Sequence, residues 1–192
     1  RDNKVIVSPD GKSVAFISDK SGWIHIYVTP ANATSESQAK QLTSGGFLNG
    51  LGSWSADSKK IAYHRTVAGN QMERFIDVID VATGKIDQIV NAHGVNYDPS
   101  FSPDGFNLVF HRTDVENSLD IYSVAARPGA QFTRLSDSMP AGLNKADLTP
   151  PVAVAFPSRL DKKPVPATLM VSKNIDRSRK NPALVWIHGS GS

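Results

Sequence analysis

The sequence predicts a mainly β chain that begins as part of a β-propeller of about three four-stranded blades. Two observations lead to this fold class. A turn motif returns at a constant spacing of 47 residues, and short apolar strands flank each copy of the motif. Four short strands per unit, separated by turn residues and repeated at such a period, are typical of propeller blades.

The repeat is marked by a Ser-x-Asp turn. The motif Ser8-Pro9-Asp10-Gly11 recurs as Ser-Ala-Asp-Ser at 55–58 and as Ser-Pro-Asp-Gly at 102–105. Proline presets φ in such a turn, aspartate bonds its own backbone, and glycine accepts a positive φ. The middle copy has lost both proline and glycine. We therefore expect its turn to be strained or of another type, and a left-handed Ser58 would cost on the order of 1 kcal/mol.

Four strands are predicted in each unit. One precedes the turn, two follow it, and a short apolar segment closes the unit. The predicted segments are 5–7, 14–17, 24–28 and around Leu42 in the first unit; around Trp54, 61–63, 75–79 and 86–90 in the second; and around Phe101, 108–110, 119–124 and around Leu135 in the third.

The repeat ends near residue 138, and residues 139–151 are predicted to be a linker because they contain Pro140, Gly142 and the pair Pro150-Pro151. Residues 152–192 then form a second predicted domain. It contains strands at 152–156 and 165–171, joined by a turn at Asp161-Lys162. The run 182–187 is apolar on both faces, which favours a buried parallel strand.

Composition excludes several classes of function. The net charge is +3 and the basic residues are dispersed, so no nucleic-acid partner is expected. No apolar run approaches the roughly 20 residues that span a bilayer. Cysteine is absent, which excludes disulfides, thiolate metal sites and a cysteine nucleophile. We expect no metal and no cofactor, and the compartment stays open between the cytoplasm and a periplasmic or secreted location.

These motifs resemble two groups of propellers. A Ser-Pro-Asp-Gly turn followed by an apolar strand and by Leu119-Asp120-Ile121-Tyr122 is similar to the repeat of the periplasmic Tol-Pal propeller protein. It is also similar to the propellers of prolyl oligopeptidase relatives. Residues 183–191 resemble the strand and His-Gly-x-Gly turn that precede the first helix of α/β-hydrolases. Propeller, linker, hairpin and this turn follow in the order of a prolyl oligopeptidase family serine peptidase, of the acylaminoacyl or dipeptidyl peptidase kind.

The resemblance implies a truncated α/β-hydrolase domain in residues 152–192, and a chain that is a piece of a longer peptidase. The backbone amides of Gly189 and Ser190 are the candidates for its oxyanion site, and His188 is expected to hold the loop rather than act as a base. No serine has glycine two places away on both sides. The nucleophile, and the Asp and His that follow it in this fold, are expected downstream, so the piece itself should be inactive.

Peptide is the expected substrate, and the propeller is expected to gate its access. Aminopeptidase relatives use propeller acids to hold the substrate's amino terminus, which makes Glu73 and Glu116 candidate substrate-binding residues. Solvated loop charge is the alternative. Arg74, Arg112 and Arg127 are candidates for meeting a substrate carboxylate.

Two His-Arg pairs also lie 47 residues apart. If each hairpin closes symmetrically, His64 lies opposite Asp77 and His111 lies opposite Asp120. Such cross-strand pairs would stitch the blade and favour the charged imidazole.

Two other functions stay open at this point. A propeller of the Tol type would be a protein-binding module without catalysis. A propeller-bearing ester hydrolase would share the hydrolase turn but not the peptidase specificity.

Overall fold

The structure, a computed structural model, describes residues 4–67 and 70–187. The chain separates into two compact units between Met139 and Pro140. Twelve strands of the described residues fall in the first unit and two in the second. In chain order they are β1 (Val5–Val7), β2 (Ser13–Ser18), β3 (His25–Pro30), β4 (Lys40–Gln41), β5 (Asn49–Trp54), β6 (Lys60–Val67), β7 (Asn70–Asp80), β8 (Ile86–Val90), β9 (Val95–Phe101), β10 (Asn107–Thr113), β11 (Asp120–Ala125), β12 (Thr133–Arg134), β13 (Val152–Pro157) and β14 (Pro164–Leu169).

The first unit contains three antiparallel four-stranded blades, as the sequence predicts. Blade I pairs β1 to β4 in chain order, blade II pairs β5 to β8, and blade III pairs β9 to β12. One parallel bridge between Arg74 of β7 and Val95 of β9 joins the sheets of blades II and III. No helix of the described residues is long and apolar enough to cross a bilayer.

The three Ser-x-Asp turns have the same internal bonding. In each, the serine hydroxyl donates to the aspartate, and the aspartate accepts a backbone N–H two residues on. Ser58 stands where the other copies have glycine and has φ +60°, which confirms the strained alternative. Its hydroxyl gains a partner that glycine would not have, because the Asp10 N–H of the neighbouring blade donates to it at 3.0 Å.

Hydrophobic side chains are buried between blades, so each blade junction has its own core. One core lies between blades I and II and the other between blades II and III. The buried members are Ala15, Ile26, Val28, Leu51, Trp54, Ile61, Tyr63 and Ile79 in the first core; and Ala62, Ile76, Val78, Ile89, Val90, Leu108, Phe110, Tyr122 and Val124 in the second.

The inner strands approach one another closely at these junctions. Trp54 Nε1 donates to the carbonyl oxygen of Ile6 at 3.3 Å, and the Phe101 N–H donates to Ser53 Oγ at 2.8 Å. A Cβ at Gly52 would lie 2.2 Å from the carbonyl oxygen of Pro99 in the next blade. Glycine is therefore required here by the close approach of two backbones.

The predicted His–Asp pairs are wrong by one residue. His64 lies opposite Ile76, and Asp77 lies opposite Tyr63. His111 lies opposite Ile121. A slip of one residue moves a whole strand to the other face, so the register is decided by which residues reach the two cores.

The same cores explain the partners that the aspartates do have. The observed register sets Phe110 against Tyr122, and their rings stack at 5.9 Å inside the core. Asp77 pairs instead with Arg65, and Asp120 with Arg134. Both are arginine–carboxylate pairs rather than the predicted histidine pairs.

The second unit contains one antiparallel hairpin, β13 with β14, in full register from Val152–Leu169 to Pro157–Pro164. Its turn holds Asp161 and Lys162 as predicted, with φ +60° at Lys162. From residue 140 to residue 187 the structure describes no other strand and no α/β-hydrolase domain. The assignment of 152–192 to such a domain therefore stays a prediction.

The buried parallel strand predicted at 182–187 is not formed. These residues belong to no strand, and Leu184 to Ile187 are 81–89% exposed. A parallel strand has no hydrogen bonds within itself and needs a neighbour, and the described residues provide none beside it.

Replacing Gly52 with alanine is expected to lower the free energy of unfolding by roughly 1–3 kcal/mol, since the added methyl overpacks two backbones. It would meet the carbonyl oxygens of Pro99 at 2.2 Å and Ala62 at 2.6 Å. Gly46→Ala is the matched control, because a Cβ there meets only the Trp23 ring at 3.6 Å. Urea denaturation followed by circular dichroism measures both. Equal midpoints for the two variants would contradict the described approach of the inner strands.

Asp120 should make stability depend on acid pH. It is buried and accepts hydrogen bonds from Ser136 Oγ at 2.7 Å, from the Ser138 N–H at 2.9 Å and from Arg134. Burial alone would raise the pKa of Asp120, but the bonds from Ser136, Arg134 and Ser138 outweigh it and lower the pKa to about 2.

An unfolded aspartate titrates near pH 3.9. The stabilisation by Asp120 is therefore complete above about pH 4 and is lost as the pH falls from about 4 to about 2. We expect Asp120→Asn to lower the urea midpoint at neutral pH and to flatten its fall in this window. A variant that keeps the wild-type fall would contradict this role.

Candidate functional site

Glu73 and Glu116 lie at the same end of blades II and III. Strand β7 begins at this end, and its Arg74 pairs with Val95, where β9 begins. Val95 in turn lies opposite Thr113, where β10 ends. We call this end, made of the β6–β7 hairpin, the β8–β9 connection and the β10–β11 hairpin, the hairpin face.

Glu73 is held by a neighbouring blade connection. It lies near the start of β7, and its Oε1 is 2.8 Å from Nδ1 of His93 in the β8–β9 connection. His93 is almost fully exposed, so this contact is at the protein surface. The carboxylate is thereby oriented on the hairpin face, and the Glu73 side chain is 20% exposed.

Glu116 lies in the β10–β11 hairpin and is exposed. Its backbone N–H donates to Asp114 Oδ1 at 3.0 Å, and Asn117 Nδ2 donates to the same oxygen at 2.7 Å. Asp114 thus fixes the loop while the Glu116 side chain points to solvent. The structure places both sequence-predicted acids on one face, in adjacent blades.

Of the three candidate arginines, Arg112 has a structural role. Its Nη1 donates to Asn96 Oδ1 at 2.9 Å, and its Nη2 donates to the His93 carbonyl and to Asp114 at 2.8 and 2.9 Å. The guanidinium also lies over the Phe132 ring at 5.1 Å. Because both Nη atoms already donate to these acceptors, Arg112 has few N–H donors available for a ligand.

Arg74 and Arg127 lie at different ends of the blades. Arg74 is on the hairpin face, where its guanidinium is 6.0 Å from the Tyr97 ring centre. Arg127 is in the turn after β11, at the opposite end, because the adjacent Ala126 N–H bonds to Phe106 in the Ser-x-Asp turn of the same blade. Arg74 is therefore the better placed of these two to act together with Glu73 and Glu116.

The two histidines of the His-Arg pairs lie on either side of Tyr97. The ring centres are 6.4 Å apart for His64 and Tyr97, and 5.2 Å apart for Tyr97 and His111. Burial, followed by the positive charge of Arg74, lowers the pKa of His64 to about 4. The expectation of a charged imidazole is therefore wrong for His64, which is neutral at physiological pH.

Asp98 is a residue that sequence reasoning missed. It follows Tyr97 in β9 with φ +49°, a left-handed conformation unusual for a residue other than glycine. Its N–H donates to His64 Nδ1 at 3.4 Å, and its carboxylate lies 4.0 Å from His111 Nδ1. The strain accompanies a bulge in the pairing of β9 with β10. No turn motif in the sequence marks this bulge.

Asn49 and Asn96 were also missed, although they lie 47 residues apart. Each is buried where an inner strand begins. Asn49 Nδ2 donates to the Ile24 carbonyl at 2.7 Å, and Asn96 Nδ2 donates to the Arg74 carbonyl at 2.7 Å. These amides clamp each blade to the outer strands of the preceding one. The repeat spacing was the signal that would have found them.

The predicted oxyanion donors Gly189 and Ser190, and His188, lie outside the described residues. Within the described ranges, no group of three or more His, Asp or Glu side chains is arranged to hold a metal ion. The hairpin face therefore offers carboxylates, an arginine and aromatic rings, which are groups that bind peptide termini.

The chain is similar to several known proteins. Residues 1–118 match the family model of the dipeptidyl peptidase IV (DPP IV) N-terminal region. The crystal structure of Porphyromonas gingivalis dipeptidyl peptidase 4 is similar with a TM-score of 0.70 and 18% identity, over 93% of this chain and 24% of that one. The structure of a putative TolB from Agrobacterium tumefaciens has a TM-score of 0.62 and 24% identity, over 71% of this chain and 47% of that one.

A shorter match involves a curated relative. The Tol-Pal system protein TolB of Francisella tularensis subsp. mediasiatica is 43% identical over 53 residues, which are 28% of this chain and 12% of that protein. This chain therefore spans a small part of the relatives it matches. The resemblance to both dipeptidyl peptidase and Tol-type propellers, predicted from the turn motifs, is confirmed. Since the family match covers 118 of 192 residues, the chain belongs to the dipeptidyl peptidase IV N-terminal region family.

Proposed function

We propose that this chain is part of the substrate-admitting propeller of a serine peptidase that cleaves peptide or acyl-amide bonds through an acyl-enzyme. The observation that carries the proposal is the match of residues 1–118 to the dipeptidyl peptidase IV N-terminal region. The order of propeller, linker, hairpin and His-Gly-Ser-Gly in the sequence supports it. The catalytic serine, aspartate and histidine would belong to the parent protein rather than to these 192 residues.

Two parts of the chain would act in this reaction. The backbone amides of Gly189 and Ser190 would donate to the oxyanion of the tetrahedral intermediate, where the loss of one donor typically costs about 10²–10³ in rate. On the propeller, the hairpin face would meet the peptide. Glu73 and Glu116 would hold its protonated amino terminus, since a carboxylate is the natural partner of a cationic amine.

A serine-directed fluorophosphonate tests the peptidase class. We expect the full-length protein encoded by the same gene to be labelled at a serine within a Gly-x-Ser-x-Gly sequence. The 192-residue chain is the control and should remain unlabelled, because none of its serines has glycine two places away on both sides. Mass spectrometry of the labelled peptide identifies the site. A full-length protein without such an adduct would overturn the proposal.

Glu73→Gln in the full-length peptidase should lower kcat/KM for substrates with a free amino terminus by about tenfold or more. The reason is that a hydrogen bond to a charged group contributes roughly 1.5–3 kcal/mol. Substrates with a blocked amino terminus should be unaffected. Glu116→Gln tests the second acid in the same way.

Glu36→Gln is the matched control for both variants. Glu36 is the one other glutamate in the sequence. It begins a 3-10 turn (Glu36–Gln38) between β3 and β4, away from the hairpin face. Variants of Glu73 and Glu116 that behave like Glu36→Gln would leave both acids as solvated loop charges and remove them from the proposal.

A second candidate function is a protein-binding module without catalysis. It is favoured by the 43% identity to the Tol-Pal system protein TolB over 53 residues. This candidate predicts a full-length protein that shows no fluorophosphonate adduct and retains a stable protein partner on purification. The labelling experiment therefore decides between the two functions.

A further inference from the structure

Arg65 and Arg112 occupy the same place in successive blades, yet their surroundings differ. They lie 47 residues apart, each near the end of the second strand of its blade. The Nη atoms of Arg112 donate to three acceptors, and its side chain is 10% exposed. Arg65 uses only its Nε, which donates to Asp77 Oδ2 at 2.6 Å.

The other donors of Arg65 are left for a ligand. Its side chain is 21% exposed, and among the side chains that the structure describes the Asp77 carboxylate is bonded to its Nε, while none is bonded to its Nη atoms. In blade III the exposed edge of the equivalent arginine is closed by Asp114. In blade II the position 47 residues earlier is Val67, which carries no acceptor.

The Arg65 guanidinium is held in place before any ligand arrives. Its Cζ lies 5.2 Å from the Phe47 ring centre and 5.4 Å from that of Phe75. Asp77 is fully buried and fixes the Nε side of the guanidinium plane. An arginine in contact with two aromatic rings loses little side-chain entropy on binding, and its planar donors match a carboxylate.

An apolar surface adjoins Phe47, the ring that this guanidinium contacts. Gly45 and Gly46 precede Phe47 and present bare backbone. The Trp23 ring is 3.6 Å from the place where a Gly46 Cβ would be, and Trp23 is 49% exposed. An indole that remains half exposed beside two glycines is suited to cover an apolar side chain.

We propose that Arg65, with Phe47, Gly46 and Trp23, forms a binding site for the carboxyl terminus of a peptide that ends in an apolar residue. The two Nη donors bind the α-carboxylate in a bidentate manner, and the indole covers the terminal side chain. Because Asp77 already balances the charge of Arg65, recognition depends on directed hydrogen bonds rather than on net charge. The proposal concerns binding by this chain and is independent of the peptidase proposal.

Small blocked amino acids test this site on the 192-residue chain. We use N-acetyl-phenylalanine, its carboxamide and N-acetylglycine, and follow binding through chemical-shift changes in two-dimensional NMR. The acid should bind at least tenfold more tightly than the carboxamide, and more tightly than N-acetylglycine. None of these ligands has an amino terminus, so the result does not depend on Glu73 or on catalysis.

A pair of variants at Gly46 tests the role of Arg65 without disturbing its pair with Asp77. Gly46→Asp adds a carboxylate next in the chain to Phe47, whose ring centre lies 5.2 Å from the guanidinium carbon, and Gly46→Asn is its neutral match. A side chain fits at this position, since its Cβ meets only Trp23 at ordinary contact distance. Gly46→Asp should weaken binding of the acid at least tenfold, and Gly46→Asn should weaken it much less.

Arg65→Lys should remove the preference for acid over carboxamide, because lysine keeps the charge but loses the bidentate donors. Arg127→Lys, at the opposite end of the blades, should retain the preference. Equal binding of acid and carboxamide by the wild-type chain would overturn the carboxylate site. Equal binding of N-acetyl-phenylalanine and N-acetylglycine would overturn the role of the apolar surface, and equal effects of the two Gly46 variants would overturn the role of Arg65.

Discussion

The burial of one blade's flank against the next is the interaction on which the rest of this chain depends. No blade has a core of its own, because the buried side chains of each sheet are completed by those of its neighbour. The close approach of Gly52 to Pro99 and the bond from Trp54 to Ile6 hold the inner strands at the distance that this burial needs. This packing explains the constant repeat of 47 residues, since equivalent residues in successive blades must contact equivalent neighbours.

This constraint leaves the hairpin face open to variation. The clamps formed by Asn49 and Asn96 keep each inner strand attached to the preceding blade, so the loops around them can differ without loosening the junction. Arg112 and Arg65 show the result. In blade III, Arg112 donates to Asp114 and supports its loop. In blade II, the equivalent Arg65 donates through its Nε to Asp77.

Much of the fold was predictable from the sequence because turn chemistry and strand patterning are local. The spacing of the Ser-x-Asp turns predicted three blades and even the strain at Ser58, which keeps the turn geometry of Gly11 at a non-glycine residue. The register was not predictable to the residue. A hairpin can close with either of two neighbouring pairings, and the choice depends on which side chains reach a core formed by another blade. The predicted partners of His64 and His111 failed for that reason.

The candidate site was less predictable, because its parts come together only across blades. Glu73 and His93 are 20 residues apart, and the bulge at Asp98 follows from the fit of β9 against β10 rather than from a turn motif. Arg65 stood out only once its contacts could be compared with those of Arg112. Local patterns report local structure, whereas the surplus donors of one arginine are a property of the packed blades.

Residues 182–187 are a second case in which a local sequence pattern did not predict the structure. Their apolar pattern is typical of a buried strand, yet Leu184 to Ile187 are 81–89% exposed and belong to no sheet. Such a pattern describes the surroundings in which a segment is stable, and a strand forms only where another backbone can accept its hydrogen bonds.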